Sequence, residues 1–247
     1  MAGHSHSANI ARRKGAVDKK RSKVFSNCAK MILSAVKQAG PDPDANLKLK
    51  YALEKARASN MPKENIQRVI KSASGEKGGQ MEELAYEGYG PGGVALIVMA
   101  LTDNRSRTAA DVKHLFDKRG GSFGAPGSVA FMFAFRSIYV VETAARSEDE
   151  LLELALEVGA EDVQWGGTES TILASPNDFL PVKSALEARG LAFASAELGY
   201  VPLSTTKVAT LDDARRLVRL VDELEAHDDV QTVYGNYELE DGWLDQL

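Results

Sequence analysis

Arg12, Arg13, Lys14, Lys19, Lys20, Arg21 and Lys23 place seven cations within twelve residues. Side chains of this type at this density neutralise phosphates and displace condensed counterions, which is the chemistry of polyanion binding rather than of bond making. Lys48, Lys50, Lys55 and Arg57 add charge over a second stretch, and Lys63 joins them at the start of a third. At about 100° per residue, Gln67, Arg68, Lys71 and Ser72 fall opposite Ile66, Ile70 and Ala73, so a polar stripe able to line a groove backs an apolar one. The link Ser59-Asn60-Met61-Pro62 resembles a helix-turn-helix connection. A plain helical hairpin with solvated lysines fits the same residues, so phosphate contact is the firmer expectation and base reading the weaker.

Other residues with chemical potential carry less. Gly88-Tyr89-Gly90-Pro91-Gly92-Gly93 satisfies G-x-G-x-x-G, but a dinucleotide site needs those glycines to leave a strand and open a helix. Here they precede the apolar run Val94 to Leu101, so a hairpin or tight strand connection is expected. His4 and His6 lack the Cys or carboxylate partners of a preorganised metal site. His114 and His227 read as ordinary helix residues, and Asp103 in Thr102-Asp103-Asn104-Arg105 as turn and capping chemistry. No P-loop, nucleophile elbow or H-E-x-x-H is present, which disfavours an enzyme and implies no cofactor and no metal.

The elements that must position the cations follow from apolar spacing. Residues 1 to 20 contain few large apolar side chains and are expected to form a flexible basic arm. From about Lys19, Phe25, Ala29, Ile32 and Val36 recur at helical spacing, with Val24, Cys28 and Met31 beside them, until Gly40. Leu49, Leu53 and Ala56 mark a second helix. Ile66, Val69, Ile70 and Ala73 mark a third, with Pro62 in its first turn. Beyond the linker Gly75 to Glu83, four helix starts show a hydroxyl residue followed three positions on by a carboxylate: Thr108 and Asp111, Ser147 and Glu150, Ser175 and Asp178, Thr210 and Asp213. Strand-like runs lie at Val94 to Leu101, Ser128 to Phe133, Ser137 to Glu142, Val163 to Trp165, Ser170 to Ala174, Phe193 to Leu198 and Val230 to Tyr237.

Ser137 to Leu198 reads β-α-β-β-α-β, a unit that can close its own sheet around a Gly166-Gly167 turn. The helix and strand that follow cannot form a core alone and are expected to complete the unfinished unit at Tyr86 to Phe133, the alternative being three domains in sequence order with a packed C-terminal tail. The expected fold class is therefore α+β: an N-terminal three-helix domain followed by two ferredoxin-like α+β domains, the third inserted in the second. The boundaries are an arm over 1–20, a basic helical domain over 20–75, an α+β domain over 84–133 plus 205–247, and an inserted domain over 134–204.

Charge is divided in the same way. Residues 1 to 74 hold 16 Lys and Arg against 5 Asp and Glu, or +11; the remainder holds 14 against 30, or −16, within a net −5. Such asymmetry points to a polyanion-binding end joined to an acidic body. The longest apolar run is too short to cross a bilayer, no secretory h-region is present, and the single Cys28 cannot form an internal disulfide. A cytoplasmic protein without a membrane partner is expected.

The residues MAGHS with Asn9-Ile10, Lys14, Asp18, Arg21 and Phe25, then Gly40-Pro41-Asp42-Pro43, Asn60-Met61-Pro62-Lys63-Glu64-Asn65-Ile66, Tyr86 to Gly93, Thr102-Asp103-Asn104-Arg105, Gly120-Gly121 and Gly127-Ser128-Val129 closely resemble the YebC/PmpR family. The similarity runs over essentially the whole chain. It implies three domains and a non-enzymatic role in gene expression, as a DNA-binding transcriptional regulator. The alternative it implies is a ribosome-associated translational activator that binds ribosomal RNA and relieves stalling on proline-rich stretches, since a mitochondrial relative activates translation of a cytochrome c oxidase subunit. The chain departs from the family at His6-Ser7, where many members carry Lys-Trp, so a contact made by those two side chains does not transfer. The partner expected is nucleic acid, DNA or ribosomal RNA, with the ribosome as its wider setting and the chain acting as a monomer. A protein-binding adaptor whose basic segment merely solubilises it is the reading from another class, and the steep salt dependence of phosphate binding separates the two.

Overall fold

The computed structural model describes residues 17–75, 81–143 and 146–247, with the side chains of 17–21, 241, 244 and 245 left undescribed. The expected arm and the cations Arg12, Arg13 and Lys14 lie outside the described residues, as do the side chains of Lys19, Lys20 and Arg21. Three helices open the fold: α1 (Val17–Ala39), α2 (Leu47–Ala58) and α3 (Lys63–Ala73). Their apolar faces meet in one core of Cys28, Ile32, Val36, Leu49, Leu53, Ala56 and Ile66, with Phe25, Ala29, Val69 and Ile70 packed around it. Val24 stays exposed. Gly40 ends α1 at a positive φ of 88°. Pro62 is the N-cap of α3 rather than a residue of its first turn.

The second domain is built on an antiparallel sheet of β1 (Glu82–Gly90), β2 (Val94–Thr102), β3 (Ser122–Phe123) and, from far along the chain, β9 (Val230–Gly235). The spatial order is β3-β1-β2-β9. Helices α4 (Arg105–Lys118) and α7 (Leu211–Ala226) pack on the sheet and on each other. Strand β1 lies beyond the strand-like runs read from sequence, because its polar Glu82, Glu83 and Glu87 break the apolar signal. The glycine-rich turn joins β1 to β2 as a hairpin. Its glycines answer to packing: a Cβ on Gly88 would lie 2.6 Å from the Ser122 carbonyl oxygen and 2.7 Å from the Phe116 ring, and Gly92 sits at φ 79°.

The inserted domain contains β4 (Phe133–Glu142), α5 (Glu148–Glu157), β5 (Asp162–Gln164), β6 (Glu169–Ala174), α6 (Phe179–Ala188) and β7 (Phe193–Pro202). Its sheet order, β5-β6-β4-β7, is that of a ferredoxin-like unit. Taking β2, β3, β1 and β9 as first to fourth strands, the second domain shows the same spatial order with its third strand moved to the front of the chain. The fold is thus α+β, with three helices followed by two ferredoxin-like domains, the third inserted in the second. A short parallel ribbon pairs β8 (Thr206–Lys207) with β10 (Tyr237–Glu238), so the expected strand Val230 to Tyr237 is two strands broken at the buried Asn236. Two compact units result. One holds Phe131–Lys207 and Asn236–Leu239; the other holds residues 17–130, Val208–Gly235 and Glu240–Leu247.

Two local expectations fail for physical reasons. Ser128 to Phe133 is no strand: a 3-10 turn spans Ala130–Met132 and β4 begins at Phe133. The buried Glu87 carboxylate accepts from the backbone N–H groups of Gly127 (2.6 Å), Val129 (2.7 Å) and Ala130 (2.8 Å), donors that a strand ladder would have needed. Nor does Thr108 cap a helix. Asn104 caps α4 by accepting from the Arg107 N–H, and Thr108 is a buried residue of the first turns. The other three starts do use their hydroxyls. Ser147 and Glu150 form a reciprocal box, Thr210 accepts from the Asp213 N–H, and Ser175 caps the 3-10 turn Pro176–Asp178 that precedes α6.

Candidate nucleic-acid interface

Helices α2 and α3 are joined by a tight stop. Asn60 adopts the left-handed conformation at φ 57°, its N–H donates to the Arg57 carbonyl, and the Met61 N–H donates to the Ala56 carbonyl, the paired bonds of a Schellman motif. Met61 is buried against the core, so α3 leaves at a fixed angle with Pro62 as its N-cap. The result is a rigid outer surface on which Lys48, Lys50, Arg57, Lys63, Gln67, Arg68 and Lys71 are exposed, while Lys55 is half-buried. Lys48 reaches Glu83 on β1 (3.2 Å) and Arg57 pairs with Glu54 (3.3 Å). Lys50, Lys63, Arg68 and Lys71 have no ion-pair partner among the described residues, which leaves four ammonium or guanidinium groups open to solvent on α2 and α3.

Lys23 stands elsewhere. It belongs to a stripe of α1, Lys23, Asn27 and Lys30, whose spacing of four and three residues puts all three on one side of the helix. That side faces the end of α7. The Lys23 ammonium donates to the main-chain carbonyls of Glu225 and His227, the latter at 2.6 Å, where the negative end of the α7 dipole lies. Burial pushes the Lys23 ammonium below its ordinary pKa, against the raising effect of Glu225 and Asp228. Asn27 makes long hydrogen bonds of 3.4 and 3.5 Å to the carbonyls of Val230 and Gln231. Lys30 donates to the Asp228 carbonyl (2.9 Å) and to Asp229 Oδ1 (2.8 Å).

Asp229 is the centre of this junction and is only 5% exposed. Its Oδ2 lies 2.7 Å from Arg107 Nη2, 3.0 Å from Thr102 Oγ1 and 2.8 Å from Thr108 Oγ1. Burial alone would raise this carboxyl, but the hydrogen bonds from Lys30, Arg107 and Thr108 outweigh it and hold the group well below the usual carboxylate range. Arg107 also bridges to Asp103 (3.0 Å). His227, the C-cap of α7 rather than an interior helix residue, accepts at Nδ1 from the Asp229 N–H, with Nε2 3.2 Å from Asp111. Beside the junction opens a cavity of about 980 Å³, bordered by Ser26, Lys30 and Leu33 of α1, Val69 and Ser72 of α3, Asp103, Arg107 and Asp111 around α4, and His227 to Asp229.

Sequence reasoning did not find Asn27, Lys30, Arg107 or Asp229, and gave Thr102 and Thr108 turn and capping roles rather than a place beside Asp229. The only local hint was the Asp228-Asp229 pair between a helix and a strand. Among the described residues no group of three or more His, Cys, Asp and Glu side chains could hold a metal ion, and no helix is long and apolar enough to cross a membrane.

The comparisons with known proteins cover both halves of the chain. The model of the TACO1/YebC protein N-terminal domain matches residues 5–76, and that of the TACO1/YebC second and third domain matches residues 81–237. A protein of Pelotomaculum thermopropionicum named "Probable transcriptional regulatory protein" is 46% identical over 98% of this chain and 100% of its own length. A protein with the same descriptive name from Caldanaerobacter subterraneus subsp. tengcongensis is also 46% identical, over 98% of this chain and 100% of its own. The crystal structure of a conserved hypothetical protein from Aquifex aeolicus superposes with a TM-score of 0.82 at 43% identity, covering 92% of this chain and 94% of that one. With its N-terminal, second and third domains all matched, the chain belongs to the TACO1/YebC family.

Proposed function

We propose that this protein is a non-enzymatic, cytoplasmic, monomeric regulator of gene expression that grips a nucleic-acid backbone with its N-terminal helical domain. The observation that carries the reading is the division of charge, +11 over residues 1 to 74 against −16 over the rest, with Lys50, Lys63, Arg68 and Lys71 exposed on the two helices of the outer surface. A surface of this kind binds phosphodiesters through counterion release, while the acidic body keeps the rest of the molecule from lying along the same polyanion. Arg12, Arg13, Lys14, Lys19, Lys20 and Arg21, which precede this surface in the sequence, are proposed as further phosphate contacts, and Lys48, Lys55 and Arg57 widen the surface. Gln67 and Lys71 of α3 are the side chains proposed for base contacts.

The names of the relatives favour DNA and a transcriptional role. A chain acting as a monomer offers no two-fold axis to match paired half-sites, which favours folded RNA such as that of the ribosome. In-cell crosslinking followed by sequencing of the attached nucleic acid separates the two: promoter DNA supports transcription, and ribosomal RNA supports translation. Recovery of protein alone, with binding in vitro indifferent to salt, would favour an adaptor and refute the proposal.

A further inference from the structure

Lys23, Asn27 and Lys30 of α1 carry the polar contact between the helical domain and the second domain. Withdrawing Lys30 leaves Asp229 with Arg107 and the hydroxyls of Thr102 and Thr108, so separation strands no buried charge. Lys23 is desolvated for the sake of carbonyl oxygens that carry only partial charge, where a phosphate would offer a full one. Asn27 Oδ1 and both polar atoms of the Gln231 side chain are buried without a partner, and water reaches them once α1 lifts. The adjoining cavity means that the flank of α1 packs against little there. The helical domain keeps its own apolar core throughout.

We propose that Lys23 and Lys30 are a concealed part of the phosphate-binding surface: they fasten the helical domain to the α7 terminus and Asp229 in the free protein, and a nucleic-acid backbone takes them over on binding. Release of the helical domain and capture of the polyanion are then one event. The proposal rests on the nucleic-acid reading above and adds to it a competition between Asp229 and phosphate for the same cations.

The test uses the full chain, titrated across a salt series with a short mixed-sequence DNA duplex in one arm and an RNA hairpin in the other. Replacing Lys23 and Lys30 together by Met should make log affinity against log salt shallower by roughly 1.4 to 1.8 in the arm that binds. Asp229→Asn, which removes the competitor and spares every cation, should bind several-fold tighter, a gain that misfolding does not produce. Fluorophores on cysteines placed at the exposed Ala45 and Lys113, in a Cys28→Ala background, should report a changed distance when the polyanion is added. A response in either arm supports the proposal and identifies the polyanion that opens the junction. If Lys63→Ala and Lys71→Ala weaken binding while the Lys23 and Lys30 pair leaves the slope and the distance unmoved, this inference falls and the nucleic-acid reading stands. If no form binds either probe at any salt, both fall. Should Asp229→Asn fail to fold, the Met pair decides alone, because both lysines lie outside the helical core.

Discussion

Replacing Glu87 by Gln probes how one buried carboxylate shapes a loop. Oε1 accepts from Gly127, and Oε2 accepts from both Val129 and Ala130. A glutamine has a single acceptor oxygen, so its best placement serves Val129 and Ala130 and turns the amide N–H₂ towards the Gly127 N–H, donor against donor. Two charge-assisted bonds become neutral, losing about 1 kcal/mol each, and one backbone donor is stranded at about 1–3 kcal/mol, together roughly 3–5 kcal/mol. For a cooperative unit of this size that lowers the melting temperature by roughly 6–20 °C. Glu82→Gln, at an exposed position of the same strand, should change stability by less than about 0.5 kcal/mol. Amide exchange should quicken at Gly127, Val129 and Ala130 before it quickens in β2. The acid limb gives a second readout. Burial opposes ionisation of Glu87, yet the three N–H groups hold it below the usual carboxylate range. A depressed carboxyl contributes fully above its unfolded pKa of about 4.3 and loses that contribution as pH falls through the folded value. Wild type should therefore lose more stability below about pH 4 than Glu87→Gln does. A variant that melts within 2 °C of wild type, about 1 kcal/mol or less, with unchanged exchange in the loop would show that Glu87 does not hold it.

Other consequences are open to measurement. Gly88→Ala drives a methyl into the Ser122 carbonyl and the Phe116 ring and should cost about 2–3 kcal/mol in denaturant unfolding, whereas Gly93→Ala, which meets no atom within 4 Å, should show only the strain of its positive φ. Neutralising Lys50, Lys63 and Arg68 together should flatten the salt slope by roughly 2.1 to 2.7 with little effect on melting, and an unchanged slope would remove these cations of α2 and α3 from the interface. Gln67→Ala with Lys71→Ala should alter sequence preference more than salt dependence if α3 reads bases; a change confined to the slope would limit α3 to the backbone. A chain ending at Leu203 lacks α7 and β9, so it should bind hydrophobic dye while β5-β6-β4-β7 stays folded; full stability would contradict the sheet order given above.

The apolar faces of α1 to α3 were legible because helical spacing alone fixes which side of each is buried, and Ile32, Leu49 and Ile66 sit where that spacing puts them. Insertion was legible because a helix and a strand without a sheet must borrow one. The two buried carboxylates were not. Glu87 bonds to backbone N–H groups, which carry no side-chain signal, and Asp229 meets Thr102 across 127 positions of sequence. Thr108 misled for a related reason: a hydroxyl three residues before a carboxylate looks the same whether it caps a helix or turns inward to Asp229. Lys23 read as one more cation in a basic run, since nothing local tells an ammonium in solvent from one set against a helix terminus.

The return of β9 to the edge of β2 also fixes an order of events during synthesis. The 127 positions between Thr102 and Asp229 take roughly 6 to 25 s to emerge at about 5–20 residues per second. Throughout that interval α1, α2 and α3 are already complete and can close their own core, while β2 has an unpaired edge and Lys23 and Lys30 have neither the α7 carbonyls nor Asp229 to face. Every nascent chain thus passes through a stage in which Lys23 and Lys30 stand open together with Lys50, Lys63, Arg68 and Lys71, on the surface of a particle made largely of RNA. The contacts that cover Lys23 and Lys30 form only after the end of α7 and Asp229 have emerged.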